Sequence, residues 1–118
     1  MTSHAELSRD LALALGYFPE SVRVVNAGTR HALCRVFRLN ENIGMNDWAW
    51  FDYRDPAVAM PLLQWLAPPY GSVTCWPNEE SWTVFVIRRD VAGKKVHINA
   101  NTLEEAIARA VIAVKGGK

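Results

Sequence analysis

The stretch Trp82-Thr83-Val84-Phe85-Val86-Ile87 constrains this chain more than any other, because as a strand it is apolar on both sides. Alternation puts Trp82, Val84 and Val86 on one face and Phe85 and Ile87 on the other. Such a strand needs cover on both faces. That predicts a layered structure, with helices on the two sides of a sheet or with a partner subunit supplying one cover. Val73-Thr74-Cys75-Trp76 precedes it across the turn Pro77–Ser81, and Lys94 to Ala100 follows it across Asp90-Val91-Ala92-Gly93. The three runs read as a hairpin extended by a third strand.

The helices announce themselves by their ends. Ser3-His4-Ala5-Glu6 and Thr102-Leu103-Glu104-Glu105 both have capping-box form, in which hydroxyl and carboxylate satisfy backbone donors reciprocally. Leu7, Leu11, Ala14 and Leu15 follow the first box at helical spacing, and Gly16 supplies a stop. Asp55-Pro56 is an N-cap followed by a proline at the first helical position, where the missing N–H costs nothing. Pro61 interrupts the stripe Val58, Leu62, Leu63, Leu66, so that helix either bends or becomes regular only at Pro61. These signals place helices at about residues 3–15, 55–67 (closed by Pro68-Pro69) and 102–115. The last is apolar over most of its girth, with Glu104, Glu105 and Arg109 marking its wet side, which suggests deep packing or a subunit contact. Between the first two helices, Arg30 to Leu39 reads as a strand with Leu33, Arg35, Phe37 and Leu39 on one face, and Asn40 to Asn46 as a loop. The expected fold is α/β (α+β), a three-layer α/β/α sandwich around a mainly antiparallel sheet.

A chain of 118 residues fits one domain spanning 1–118. Half its residues are hydrophobic and 21% are charged, which excludes disorder as a description of the whole. A net charge of +1 argues against a duplex-DNA binder. No run approaches the roughly 18 apolar residues of a membrane span, and no apolar signal core follows the acid-bearing start, so a cytoplasmic location is expected. Cys34 and Cys75 are then two reduced thiols, a single disulfide being the alternative.

Catalytic patterns are lacking. His4, His31 and His97 share no ligand spacing, and Asp47, Asp52 and Asp55 match no cation loop, so no metal is expected. No phosphate-cradling glycine motif or nucleophile elbow occurs, and His97-Ile98-Asn99 lacks both the hydroxyl and the second copy that two-histidine phosphoester chemistry needs. The expectation is a protein that is not an enzyme and has no cofactor. What stands out is rings beside cations: Trp48, Trp50, Tyr53, Trp76 and Trp82, with Arg30, Arg35 and Arg38 in one basic run and Arg88, Arg89, Lys94, Lys95 and His97 in another. A ring that stacks a base and a guanidinium that forks onto phosphate are the minimum for holding a nucleotide. The opposing reading fills the core with the tryptophans and leaves the basic residues to solvate strand edges. If Trp48 and Trp50 lie on an extended strand they share a face and form a clamp for a flat group. The candidate ligand-binding set is Trp48, Trp50, Tyr53, Arg88, Arg89 and His97.

Three segments carry a resemblance: the opening helix from Glu6-Leu7-Ser8-Arg9 to Gly16-Tyr17, the run Phe51-Asp52-Tyr53-Arg54-Asp55-Pro56 through Leu62, and the final Ala106-Ile107-Ala108-Arg109-Ala110 helix. In these the chain resembles the phage ABA sandwich domain family, small proteins of tailed phages and prophages. Arg54 stands where that family usually has Ser, and residues 20–46 match nothing in it. The resemblance implies a three-layer fold, tolerance of Pro61 and a phage origin, and it brings no catalytic residues. The resulting expectation is a non-catalytic accessory protein in the host cytoplasm that sequesters a nucleotide-derived immune signal, self-associating through the 102–115 helix. The alternative is an adaptor or inhibitor whose tryptophans and arginines dock on a host protein.

Overall fold

The structure, a computed structural model, describes residues 3–66, 71–88 and 95–116. It has the expected α/β class with antiparallel strands, and the strands divide between two three-stranded sheets. The chain forms two compact units, Met1–Asp52 and Tyr53–Lys118, each holding one sheet.

In the first unit, helix α1 (His4–Ala14) starts where the capping box places it, with the Ser3 hydroxyl accepting from the Glu6 amide at 3.1 Å. It ends in a Schellman turn. Gly16 takes a φ of +104°, its N–H reaches the Leu13 carbonyl, and the Tyr17 N–H reaches that of Ala12. A 3-10 turn at Pro19–Ser21 leads into β1 (Val22–Val25), followed by β2 (Leu33–Asn40) and β3 (Met45–Trp50). The three strands form an antiparallel meander, sheet A, in the order β1-β2-β3. Arg30 to Ala32 belong to the turn before β2, so that strand begins three residues later than the sequence suggests. Neither β1 nor β3 was expected as a strand. Val22, Cys34 and Val36 line the inner face, which α1 covers with Leu7, Leu11 and Ala12.

In the second unit, Asp55 caps α2 (Pro56–Ala59) by accepting from the Ala57 amide at 3.0 Å. The chain breaks at Met60 and resumes as α3 (Pro61–Leu66), because Pro61 cannot donate to the preceding turn. The expected stop at Pro68-Pro69 lies outside the described residues. Strands β4 (Gly71–Pro77), β5 (Trp82–Arg88) and β6 (Lys95–Ala100) form the second meander, sheet B, and helix α4 (Leu103–Gly116) closes the unit. The Thr102 hydroxyl accepts from the Glu105 amide at 3.2 Å, as the second capping box requires. The turn expected at 90–93 lies outside the described residues.

Val84, Val86 and Ala100 form the inner face of sheet B under α4, whose Ala106, Ile107, Ala110 and Val111 are sealed. Helices α2 and α3 pack on α4 as well. Ala108 and Val114 of α4 are buried as well, and Ile112 and Ala113 are half-buried. On the outer face of β5, cover is partial, with Thr83 buried, Phe85 half-buried and Ile87 45% exposed. Among the described residues no helix is long and apolar enough to cross a membrane.

Candidate functional site

The outward face of sheet A is built by register. Arg23 on β1 lies opposite Arg35 on β2, Arg35 lies opposite Trp50 on β3, and Phe37 lies opposite Trp48. Because side chains alternate, all five emerge on the side away from α1. The Arg23 guanidinium carbon sits 4.7 Å from the centre of the Trp48 ring. That of Arg35 sits 5.5 Å from Trp48 and 5.3 Å from Trp50. Phe37 tilts against Trp48 with ring centres 5.3 Å apart. The result is a ladder running Arg23, Trp48, Arg35, Trp50, held by attraction of cation for ring face.

Two properties of the ladder bear on its chemistry. First, among the described residues neither Arg23 nor Arg35 makes an ion pair, and the contacts seen for both are with indole faces. Second, the ladder ends in an indole that is 59% exposed, that of Trp50, whereas Trp48 is half-buried among its three partners. Leu33, Phe37 and Leu39 add exposed apolar surface along β2.

Trp48 and Trp50 share one face, as expected, but they do not form an open clamp. The space between them is occupied by Arg35, which the register of β2 against β3 drives into it. A flat ligand therefore meets the ladder from outside, at Trp50.

The other candidates fall elsewhere. Tyr53 is a core side chain, 1% exposed, because it lies three residues past Trp50 and beyond the end of β3; its ring is closed to a ligand. His97 is exposed on the outer face of sheet B, stacked on Trp76 at 6.4 Å and edge-on to Phe85 at 5.9 Å. Arg88 ends β5 opposite Gly71, with only its backbone described, and Arg89 and Lys94 lie outside the described residues. Beside His97, Asn78 donates to the Thr83 hydroxyl at 2.7 Å, and that hydroxyl donates to the Asn99 amide oxygen. The candidate list omitted Arg23, Arg35 and Phe37. The last two were legible on one face of the predicted strand, whereas Arg23 acquires its place only through pairing of β1 with β2.

A cleft of about 470 Å³ opens where β2 turns into β3, lined by residues that include Arg38, Asn40, Glu41, Asn42, Asp47 and Trp48. Its turn is held by the Asn40 carbonyl, which accepts from Ile43 and Gly44, with Gly44 at a φ of +69°. The cysteines are free thiols. Burial pushes the Cys34 thiol up to about 11, opposed by Arg9 and reinforced by Asp52, and burial raises Cys75 as well. A thiol held protonated is a poor nucleophile.

No protein-family model matches this chain, and no curated protein matches it.

Proposed function

We propose that this protein is a non-catalytic binding protein that takes a ligand of the nucleotide class on the outward face of sheet A. The base stacks on Trp50, and the phosphate is held by the donor edges of Arg35 and Arg23. The observation that carries this is Arg35 lodged between two indoles, with no carboxylate among the described residues paired to it, beside a ring left open to solvent. Stacking aligns a guanidinium without consuming its N–H groups, so it is preorganised for an oxyanion. In the phage setting that the sequence resembles, such binding withdraws its ligand from the host.

Calorimetric titration with mononucleotides, cyclic dinucleotides, ADP-ribose and short oligonucleotides tests this, with indole fluorescence as a second readout. Binding by at least one of them, with quenching that Trp50→Ala removes, is the expected result. Silence across the panel rejects the proposal. The exposed Leu33, Phe37 and Leu39 beside the ladder favour a second reading, docking on a host protein, since Trp and Arg dominate interface hot spots. Recovery of one stoichiometric partner that Trp50→Ala abolishes, together with silent titrations, selects it.

A further inference from the structure

We infer that the ligand of this face is a single-stranded nucleic acid rather than a free nucleotide, an inference that rests on the proposal above. Small ligands are held in concave sites that bury most of their surface, typically 70–90% or more. Among the described residues Trp50 is not enclosed in that way. It stands 59% exposed at the end of the ladder, with Leu33 37% and Leu39 58% exposed along the neighbouring strand. The cleft at the turn between β2 and β3 borders Trp48, which already carries Arg23, Arg35 and Phe37. A lone nucleotide on the open face would leave much of itself in water. A strand instead accumulates affinity from successive bases and phosphates laid across an open surface.

The face has the composition that such a strand needs. Alternation puts no acidic side chain on this side of β1, β2 or β3, and Arg23 and Arg35 are its charges. Asp47 falls on the opposite side, across from Arg38. The Trp50 ring supplies stacking that every base satisfies, and the two guanidinium groups supply phosphate contacts to the neighbouring backbone, which together describe sequence-tolerant single-strand binding. Duplex is excluded from the same contacts because its bases are already stacked on one another.

The experiment is a fluorescence titration of the full-length protein at 50 and 200 mM salt. The probes are a single-stranded thymidylate dodecamer, a uridylate dodecamer, a thymidylate-adenylate duplex of that length, and thymidine monophosphate. We expect a single-stranded dodecamer to quench the indoles and to bind at least about tenfold more tightly than the monophosphate. With two phosphate contacts, its affinity should fall roughly sevenfold between the two salt concentrations. Trp50→Ala should weaken it by about fivefold or more, and Trp50→Phe should restore most of the loss. Circular dichroism of both variants guards against misfolding, of which an outward-facing residue runs little risk. Equal affinity for monophosphate and dodecamer overturns the strand inference and leaves the nucleotide reading standing. Equal affinity for duplex and single strand overturns it too, since charge alone would then carry binding. No binding of any probe overturns the strand inference and leaves the nucleotide reading to the wider panel above, whereas binding indifferent to Trp50→Ala overturns both.

Discussion

Sheets A and B are the same device used twice, a three-stranded antiparallel meander with a helix over one face, and their other faces are finished in opposite ways. On sheet B the outer polar groups satisfy each other: Asn78, Thr83 and Asn99 form a hydrogen-bonded row, and His97 lies between Trp76 and Phe85. On sheet A the outer charges are stacked on rings, and no ion pair among the described residues neutralises them. Arg23 and Arg35 lie on indole faces, and the last indole of the ladder faces water. A surface that closes its own hydrogen bonds serves the fold. One that leaves a ring and stacked cations facing water is the face on which the proposed ligand is placed.

The sharpest way to break this comparison is to truncate the covered faces. Leu11 and Ile107 are fully buried, one on each sheet's helix. Leu11→Ala and Ile107→Ala should each destabilise the protein by about 2–5 kcal/mol, from lost transfer energy and the cavity left behind. Urea unfolding monitored by circular dichroism reads this. Alkylation of Cys34, which sits on the inner face of sheet A, should accelerate in Leu11→Ala. Ligand binding by the folded fraction should not change, because neither side chain reaches the ladder. A variant that kept its stability would show that the helices are not what closes the inner faces.

The covered faces are also the part that was legible in sequence. Ser3, Asp55 and Thr102 each start a helix where the capping pattern puts them, because a cap is a local hydrogen bond that needs no tertiary information. The apolar run of β5 was equally plain. Strands β1 and β3 were not. Val22–Val25 is too short for a period to emerge, and Met45-Asn46-Asp47 at the start of β3 is exposed and mixed in character, so neither segment signals a strand until β2 pairs with it. The site divides along the same line. Trp48 and Trp50 share a face because of spacing along one strand, which a sequence displays. Arg35 between them and Arg23 beyond are set by register across strands, which it does not. Tyr53 misled because it continues an aromatic run past the point where the strand stops. The two sheets as separate assemblies were likewise hidden, since sheet A is completed by the two strands that could not be read.

A second prediction turns on pH. Cys34 is 3% exposed, and its thiol is raised from 9.0 to about 11 in the folded protein. The folded state therefore holds this proton more tightly than the unfolded state does. The stabilisation is complete below pH 9 and is lost as pH rises toward 11, by roughly 2–3 kcal/mol at the upper end. Cys75, raised in the same direction, adds to the slope. Urea midpoints between pH 8 and 11 should fall, and Cys34→Ala should flatten most of the decline. A slope unaffected by that substitution would mean that the inner face of sheet A admits water.

The outer face of sheet B supplies the third. Thr83 is 2% exposed and links Asn78 to Asn99. Thr83→Val keeps the shape and removes the hydroxyl, which should cost about 1–2 kcal/mol in thermal or urea unfolding. Both partners are exposed and can turn to water, which keeps the figure at the lower end. Nucleotide titrations should be unchanged. Any loss of binding here would erase the division of labour between the two faces.

The smallest expected effect on stability is also the one that tests the division most directly. Arg23 is exposed, and its one observed side-chain contact among the described residues is with the Trp48 ring. Exposed cation–ring contacts are worth about 0.5–1 kcal/mol, so Arg23→Ala should shift the urea midpoint only slightly. Its effect on binding should be larger than its effect on stability. Removing one of two phosphate contacts should roughly halve the slope of log affinity against log salt, because each neutralised phosphate contributes separately. Arg23→Lys retains the charge but not the planar fork, so it should recover the salt slope without recovering all of the affinity. Thr83→Val inverts this pattern, with a stability loss and no change in slope. If Arg23→Ala instead destabilises the fold by several kcal/mol and leaves the salt slope untouched, the ladder is a structural brace like the row on sheet B, and the two outer faces are finished alike after all.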